Sequence, residues 1–156
     1  MGATHFTGPV LSGDLQQGQP NGPNQGFAVL EQDIDLLNTG AGNADYPIYL
    51  PAGSIILDFI VDVLTEWNSA TSATLLIGNT VGGSQYLSAV DIHAGTAGRQ
   101  ALAQTAAQLA AMAGQTVLGV AAPLLPLVNI RVAAVGAGNV GAAHVTVRYA
   151  QQTSSN

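Results

Sequence analysis

The chain contains no cysteine and no lysine. Without cysteine there are neither disulfides nor thiolate metal sites, and the redox compartment is left open. Without lysine, Arg99, Arg131 and Arg148 are the only permanent side-chain cations against nine acidic residues. Such a cation-poor surface cannot neutralise a phosphate backbone, so nucleic acid is not an expected partner. Charged residues make up only 8% of the chain. That scarcity suits either a surface covered by neighbours or a small sandwich with a neutral polar exterior. No run approaches the ~18 apolar residues of a membrane-spanning helix, so no membrane partner is expected. The start, Met1-Gly-Ala-Thr-His-Phe, has neither the basic region nor the apolar core of a secretory leader.

A length of 156 residues fits one domain. At this size a chain buries roughly 68% of its unfolded surface, enough for a core without staples. Residues 1–25 are rich in Gly, Pro, Gln and Asn and cannot form a core. They read as an extended N-terminal arm, with Phe6, Val10 and Leu11 as its apolar contacts to a neighbouring subunit. Residues 26–150 read as the folded domain and residues 151–156 as a polar tail.

The most informative stretch is Tyr46 to Asn79. Within it, Ile55, Leu57, Phe59, Val61 and Val63 form one continuous apolar face, as a period of two requires, and Ile56, Asp58, Ile60, Asp62, Leu64 and Glu66 share the other. A helix would stack Asp58, Asp62 and Glu66 on one stripe and set them repelling one another. The spacing therefore predicts a central strand over Ser54–Trp67, with Leu57, Phe59 and Val61 in the core. Thr71–Gly78 is expected as its hairpin partner. Phe27–Leu37 reads as the first strand, with Leu30, Ile34 and Leu36 inward and Glu31, Asp33 and Asp35 outward. Tyr46–Leu50, interrupted by Pro47, reads as a short edge strand.

Further strands are expected at Gln85–Ile92, Arg99–Gln104 and Thr116–Ala121. Leu127–Val135 and Ala142–Ala150 read as a closing antiparallel pair. Thr105-Ala-Ala-Gln108 has the spacing of a capping box ahead of one short helix that stops at Gly114. About eight short strands separated by Gly- and Pro-rich turns predict an all-β protein, a jelly-roll-like antiparallel β-sandwich.

Three blocks carry a family resemblance. They are Leu50-Pro-Ala-Gly-Ser-Ile-Ile-Leu-Asp, Ser72-Ala-Thr-Leu-Leu-Ile-Gly-Asn-Thr and Tyr86-Leu. With the leader Thr4-His-Phe-Thr-Gly-Pro-Val-Leu-Ser-Gly and the segment Thr105-Ala-Ala-Gln-Leu-Ala-Ala-Met, they resemble capsid decoration (cement) and related head-surface proteins of tailed bacteriophages. The resemblance implies a non-enzymatic virion protein on the capsid exterior, assembled in the host cytoplasm. Its implied partners are the major capsid protein and its own copies, as a homotrimer. The alternative is a receptor- or glycan-binding module of a phage fibre or bacterial surface, with Trp67, Tyr46, Tyr49, Tyr86 and Tyr149 as candidate stacking residues.

Signals of chemistry are weak. Gly136-Ala-Gly-Asn-Val-Gly141 has the GxGxxG spacing, yet a dinucleotide site needs a following helix and an acidic residue about 20 positions on. No acidic residue follows Asp91, so the motif reads as a hairpin loop. Glu31, Asp33 and Asp35 have oxygens for a hard cation such as calcium, but without a Gly-punctuated acidic loop. His5, His93 and His144 lack metal-ligand spacing. No nucleophile elbow, Walker loop or HExxH motif is present. No enzymatic activity and no cofactor are expected. All carboxylates lie before Arg99, so any Arg–carboxylate pair joins an early segment to a late one. Arg99, Arg131 and Arg148 are therefore the candidate subunit contacts.

Overall fold

A computed structural model describes residues 27–40, 42–51, 54–113 and 127–152. The arm residues Phe6, Val10 and Leu11, and the strand expected at Thr116–Ala121, lie outside the described residues. Among these there are eight strands and one helix. The elements are β1 (Phe27–Leu37), β2 (Asn43–Tyr49), β3 (Ser54–Thr65), β4 (Ser72–Gly78), β5 (Leu87–Asp91), β6 (Gly98–Arg99), α1 (Ala106–Ala113), β7 (Leu127–Val135) and β8 (Ala142–Gln152).

Two four-stranded antiparallel sheets form, with orders β1-β8-β3-β6 and β2-β7-β4-β5. The pairings β1–β8, β2–β7, β3–β6 and β4–β5 are nested. One long hairpin folded over on itself produces that nesting, and it is the jelly-roll arrangement of an all-β sandwich. The inner faces meet in a single core that includes Leu36, Ile48, Phe59, Val61, Leu75, Ile77, Ile130, Val145 and Val147. Phe59 stacks on Tyr86 with ring centroids 6.1 Å apart. Burial pushes the Tyr86 hydroxyl up to about 12.

Neither expected hairpin forms. β3 and β4 lie in opposite sheets, as do β7 and β8. These sequence neighbours cross the sandwich instead of pairing; only β4 and β5 pair with the next strand in the chain, and the other partners lie further along it. β3 is interior to its sheet as expected, and β2 lies at an edge with Pro47 in it. Of the strand expected at Arg99–Gln104 only Arg99 is in a strand, the two-residue β6.

Two bulges change which side of β3 faces the core. Its pairing with β8 shifts between Ile56 and Asp58, and again between Val63 and Thr65. The residue inserted at each shift is a leucine, and both point out: Leu57 is 46% and Leu64 64% exposed. Ile56 is buried in place of Ile55, and the expected odd face begins only at Phe59. Leu57 is thus not a core residue, because one extra residue in a strand inverts the alternation. Leu30, expected inward, is 38% exposed at the start of the edge strand β1.

The helix bears out its capping box. Thr105 Oγ1 accepts the Gln108 N–H at 3.2 Å, and Gln108 Oε1 accepts the Thr105 N–H at 2.9 Å. The buried Gln108 amide also donates to Ser84 O and Ser88 Oγ, fastening α1 to the start of β5.

Candidate functional site: a charged ladder on one sheet

Outward positions on three neighbouring strands form a grid on the β1-β8-β3-β6 sheet. β1 contributes Glu31, Asp33 and Asp35, β8 contributes Arg148, Thr146 and His144, and β3 contributes Asp58, Ile60 and Asp62. The register aligns them in rows: Glu31–Arg148–Asp58, Asp33–Thr146–Ile60 and Asp35–His144–Asp62. Rows follow one another at about 6–7 Å, two residues of strand rise. Each basic group of β8 therefore stands between carboxylates on both sides.

Arg148 Nε, shut off from solvent, lies 3.1 Å from Glu31 Oε1 but in a geometry that makes no hydrogen bond. His144 Nδ1 is 2.8 Å from Asp35 Oδ1 and Nε2 is 3.7 Å from Asp33 Oδ1. The hydrogen bond to Asp35 raises the His144 pKa; desolvation opposes it, and the charges of Asp33, Asp35 and Asp62 reinforce it. Arg99 on β6 extends the third row, donating through Nε at 3.0 Å and Nη2 at 2.8 Å to the two oxygens of Asp62. That bidentate pair lowers the Asp62 pKa and raises that of Arg99. Asp58 turns instead to its own strand, accepting the Phe59 N–H at 2.8 Å.

Arg131 sits on the outer face of the other sheet, where its Nε and Nη2 hold the two oxygens of Asp45 at 2.9 and 2.6 Å. All three arginines thus meet a carboxylate of their own chain, joining early strands to late ones. The structure brings Arg99 and Arg148 together beside a 390 Å³ cleft also lined by Asp58, Gln100, Leu102 and Gln104. It keeps Arg131 apart from them. The carboxylates Glu31, Asp33 and Asp35 face Arg148 and His144. Among the described residues no group of three or more His, Asp or Glu side chains is placed to hold a metal ion.

The roles of His144, Asp58 and Asp62 in this ladder escaped the sequence reading. Their signal is the matching two-residue period of acids on β1 and bases on β8. It becomes readable only once those strands, more than 100 residues apart, are known to be partners.

The GxGxxG loop has a structural role. It connects β7 in one sheet to β8 in the other, and Asn68 grips it. Asn68 Oδ1 accepts the N–H groups of Asn139 and Val140, both at 2.9 Å, and Asn68 Nδ2 donates to Asn139 Oδ1 at 3.1 Å. Asn38 Nδ2 donates to Val140 O at 3.0 Å from the other side. A Cβ at Gly138 would collide with Asn68 and Ser69, and one at Gly141 with the Trp67 indole. β8, a strand, follows the glycines where a dinucleotide fold has a helix.

No family model, no curated protein and no solved structure matches the chain.

Proposed function

We propose that the protein is a non-enzymatic virion protein of the tailed-phage type, binding the outside of a capsid and reinforcing it. The observation that carries this reading is a jelly-roll body whose edge strand β1 continues directly from the apolar-punctuated segment 1–26. Jelly rolls serve viral capsids, lectins and cupins alike, so the architecture supports the reading by analogy only. The sequence blocks that resemble capsid decoration proteins supply the rest. In this reading the body sits on the major capsid protein, copies associate as a trimer, and residues 1–25 clamp a neighbour. The clamping segment loses conformational entropy on docking, a cost that its contacts with the neighbour must exceed.

The test is co-sedimentation with empty capsids that lack fibres, using the full chain and a truncation beginning at Gly26. Binding by the full chain that weakens severalfold on truncation is expected. Absence of binding by the full chain overturns the reading, and undiminished binding by the truncation removes the arm from it.

One observation favours a receptor- or glycan-binding module instead. The Tyr49 side chain on β2 is 57% exposed, on the sheet face that also carries the Asp45–Arg131 pair. Exposed aromatic faces stack on sugars. Retention on immobilised host-surface glycan that is lost in Tyr49→Ala would select this second reading.

A further inference from the structure

The edge strand β1 pairs with β8 on one side only. Its last residue shows which backbone groups face the other side. The Tyr46 hydroxyl, on β2 of the opposite sheet, donates to Leu37 O at 2.8 Å and meets the Leu37 N–H at 3.4 Å. Both Leu37 groups therefore point away from β8. Backbone direction alternates along an antiparallel strand. The N–H and C=O groups of Val29, Glu31, Asp33 and Asp35 thus point the same way as those of Leu37, and none has a partner among the described residues. Val29 to Asp35 is about 20 Å of half-used strand. The side chains of Glu31, Asp33 and Asp35, on the outer face, are each more than half exposed.

Charge selects what fits this edge. Across the sheet the third row runs Arg99, Asp62, His144, Asp35, base and acid in turn, and stops on an acid at the open side. The bases of β8 have acids on both sides, but the acids of β1 have bases on one side only. Asp33 faces Thr146, and its nearest basic atom is His144 Nε2 at 3.7 Å. A base in the next column continues the alternation, since opposite charges on adjacent strands attract and like charges repel. Beneath, Leu30 on the inner face is 38% exposed, so apolar residues between those bases find apolar surface. We infer that the Val29–Asp35 edge docks an extended segment of another protein, with bases at alternate positions and apolar residues between them, added to β1 as a fifth strand. Main-chain bonds then supply affinity and the alternate side chains specificity. A second copy does not qualify. β1 against β1 sets acid against acid, and Arg99, Arg131 and Arg148 are too far apart in the chain to alternate. The acids that reject ordinary strands admit this one. The inference does not rest on the capsid reading, because the edge belongs to the folded body alone.

The probe is a fluorescent peptide in which arginine and valine alternate over the length of the open edge. Its binding to the full chain is read by anisotropy. Two control peptides keep the same charge. One groups the arginines together, and the other N-methylates them, which removes the N–H groups that face β1 when each arginine lies opposite an acid. The alternating peptide is expected to bind saturably and severalfold more tightly than either control. Amide exchange at Val29, Glu31, Asp33 and Asp35 is expected to slow in the complex. Asp33→Asn, whose carboxylate makes no hydrogen bond among the described residues, is expected to weaken binding severalfold. Equal binding of the control peptides reduces the effect to charge attraction and overturns the inference. No binding, protection confined to another edge, or unchanged binding by Asp33→Asn overturns it as well.

Discussion

His144 Nδ1 stands 2.8 Å from Asp35 Oδ1, and the pair ties the central strand β8 to the edge strand β1. Asp33 and Asp62 flank the same ring. The protonated imidazole is thus favoured in the folded state, and the His144 pKa lies above the ordinary value of about 6.5. A group raised on folding contributes its stability fully below the unfolded value, and that contribution fades as pH rises through the raised value. Stability is therefore expected to fall across the histidine range toward alkaline pH. In Asp35→Asn, which removes the leading cause, the His144 titration followed by ring NMR shifts is expected to move down toward the ordinary value. An unmoved titration would remove Asp35 from the account.

The first bulge in β3 separates two residues that a simple alternation treats alike. Phe59 is buried against Tyr86, and Leu57 is exposed. Phe59→Ala is expected to cost on the order of 3–5 kcal/mol, and Leu57→Ala under about 1 kcal/mol. Urea denaturation of the two variants measures the contrast. Similar losses for both would contradict the placement of the bulge.

Close approach of the Trp67–Ser69 segment to Gly138 and Gly141 leaves no room for a side chain at either glycine. Gly141→Ala drives a methyl into the Trp67 ring and is expected to destabilise by about 1–3 kcal/mol, the usual range for overpacking. Trp67 is the one tryptophan, so its emission is expected to shift red as the ring is displaced. An unchanged spectrum with unchanged stability would mean that the loop yields freely.

Arg131 and Asp45 form a bidentate pair within one chain. Arg131→Glu is expected to lower stability by about 1 kcal/mol or less, and the added Asp45→Arg to restore much of it, as for a partly exposed pair. Thermal denaturation of the double-mutant cycle measures this. Light scattering on the same variants reads assembly: a change of oligomer state in Arg131→Glu would add a role at a subunit boundary to the one inside the chain.

Much of the architecture was legible because local patterns carry it. The strand at Phe27–Leu37, the edge character of the Pro47 strand, the Thr105–Gln108 cap and the jelly-roll class all follow from period, proline and capping chemistry. Pairing did not follow, because β3–β4 and β7–β8 look like hairpins by proximity yet cross between sheets. The Leu57 bulge also left no mark, since Ile55-Ile56-Leu57 is apolar throughout and fits either face. The ladder was half visible: the acids of β1 show a two-residue period, but the bases opposite are named only by the register of β8. Arg99, Arg131 and Arg148 were expected to join early to late segments, and within the chain they do.

The nested pairing also sets an order of events during synthesis. β1 has β8 as its sheet neighbour, and β3 has β8 along most of its length. Asp35 and His144 are 109 residues apart, so β1 leaves the ribosome long before its neighbour does. Until then the inner faces of β1 and β3 have little to pair with, while β4 can already meet β5. Topologies dominated by such distant contacts assemble slowly, and their unpaired edges are open to foreign strands in the interval. The delay falls on the two strands that carry the ladder's acids, Glu31, Asp33 and Asp35 on one and Asp58 and Asp62 on the other. Before β8 arrives these carboxylates have neither Arg148 nor His144 beside them, and charged side chains on an unpaired edge discourage strand-to-strand association. The acids that face Arg148 and His144 in the finished sheet are thus, until β8 is made, uncompensated charge on unpaired strands.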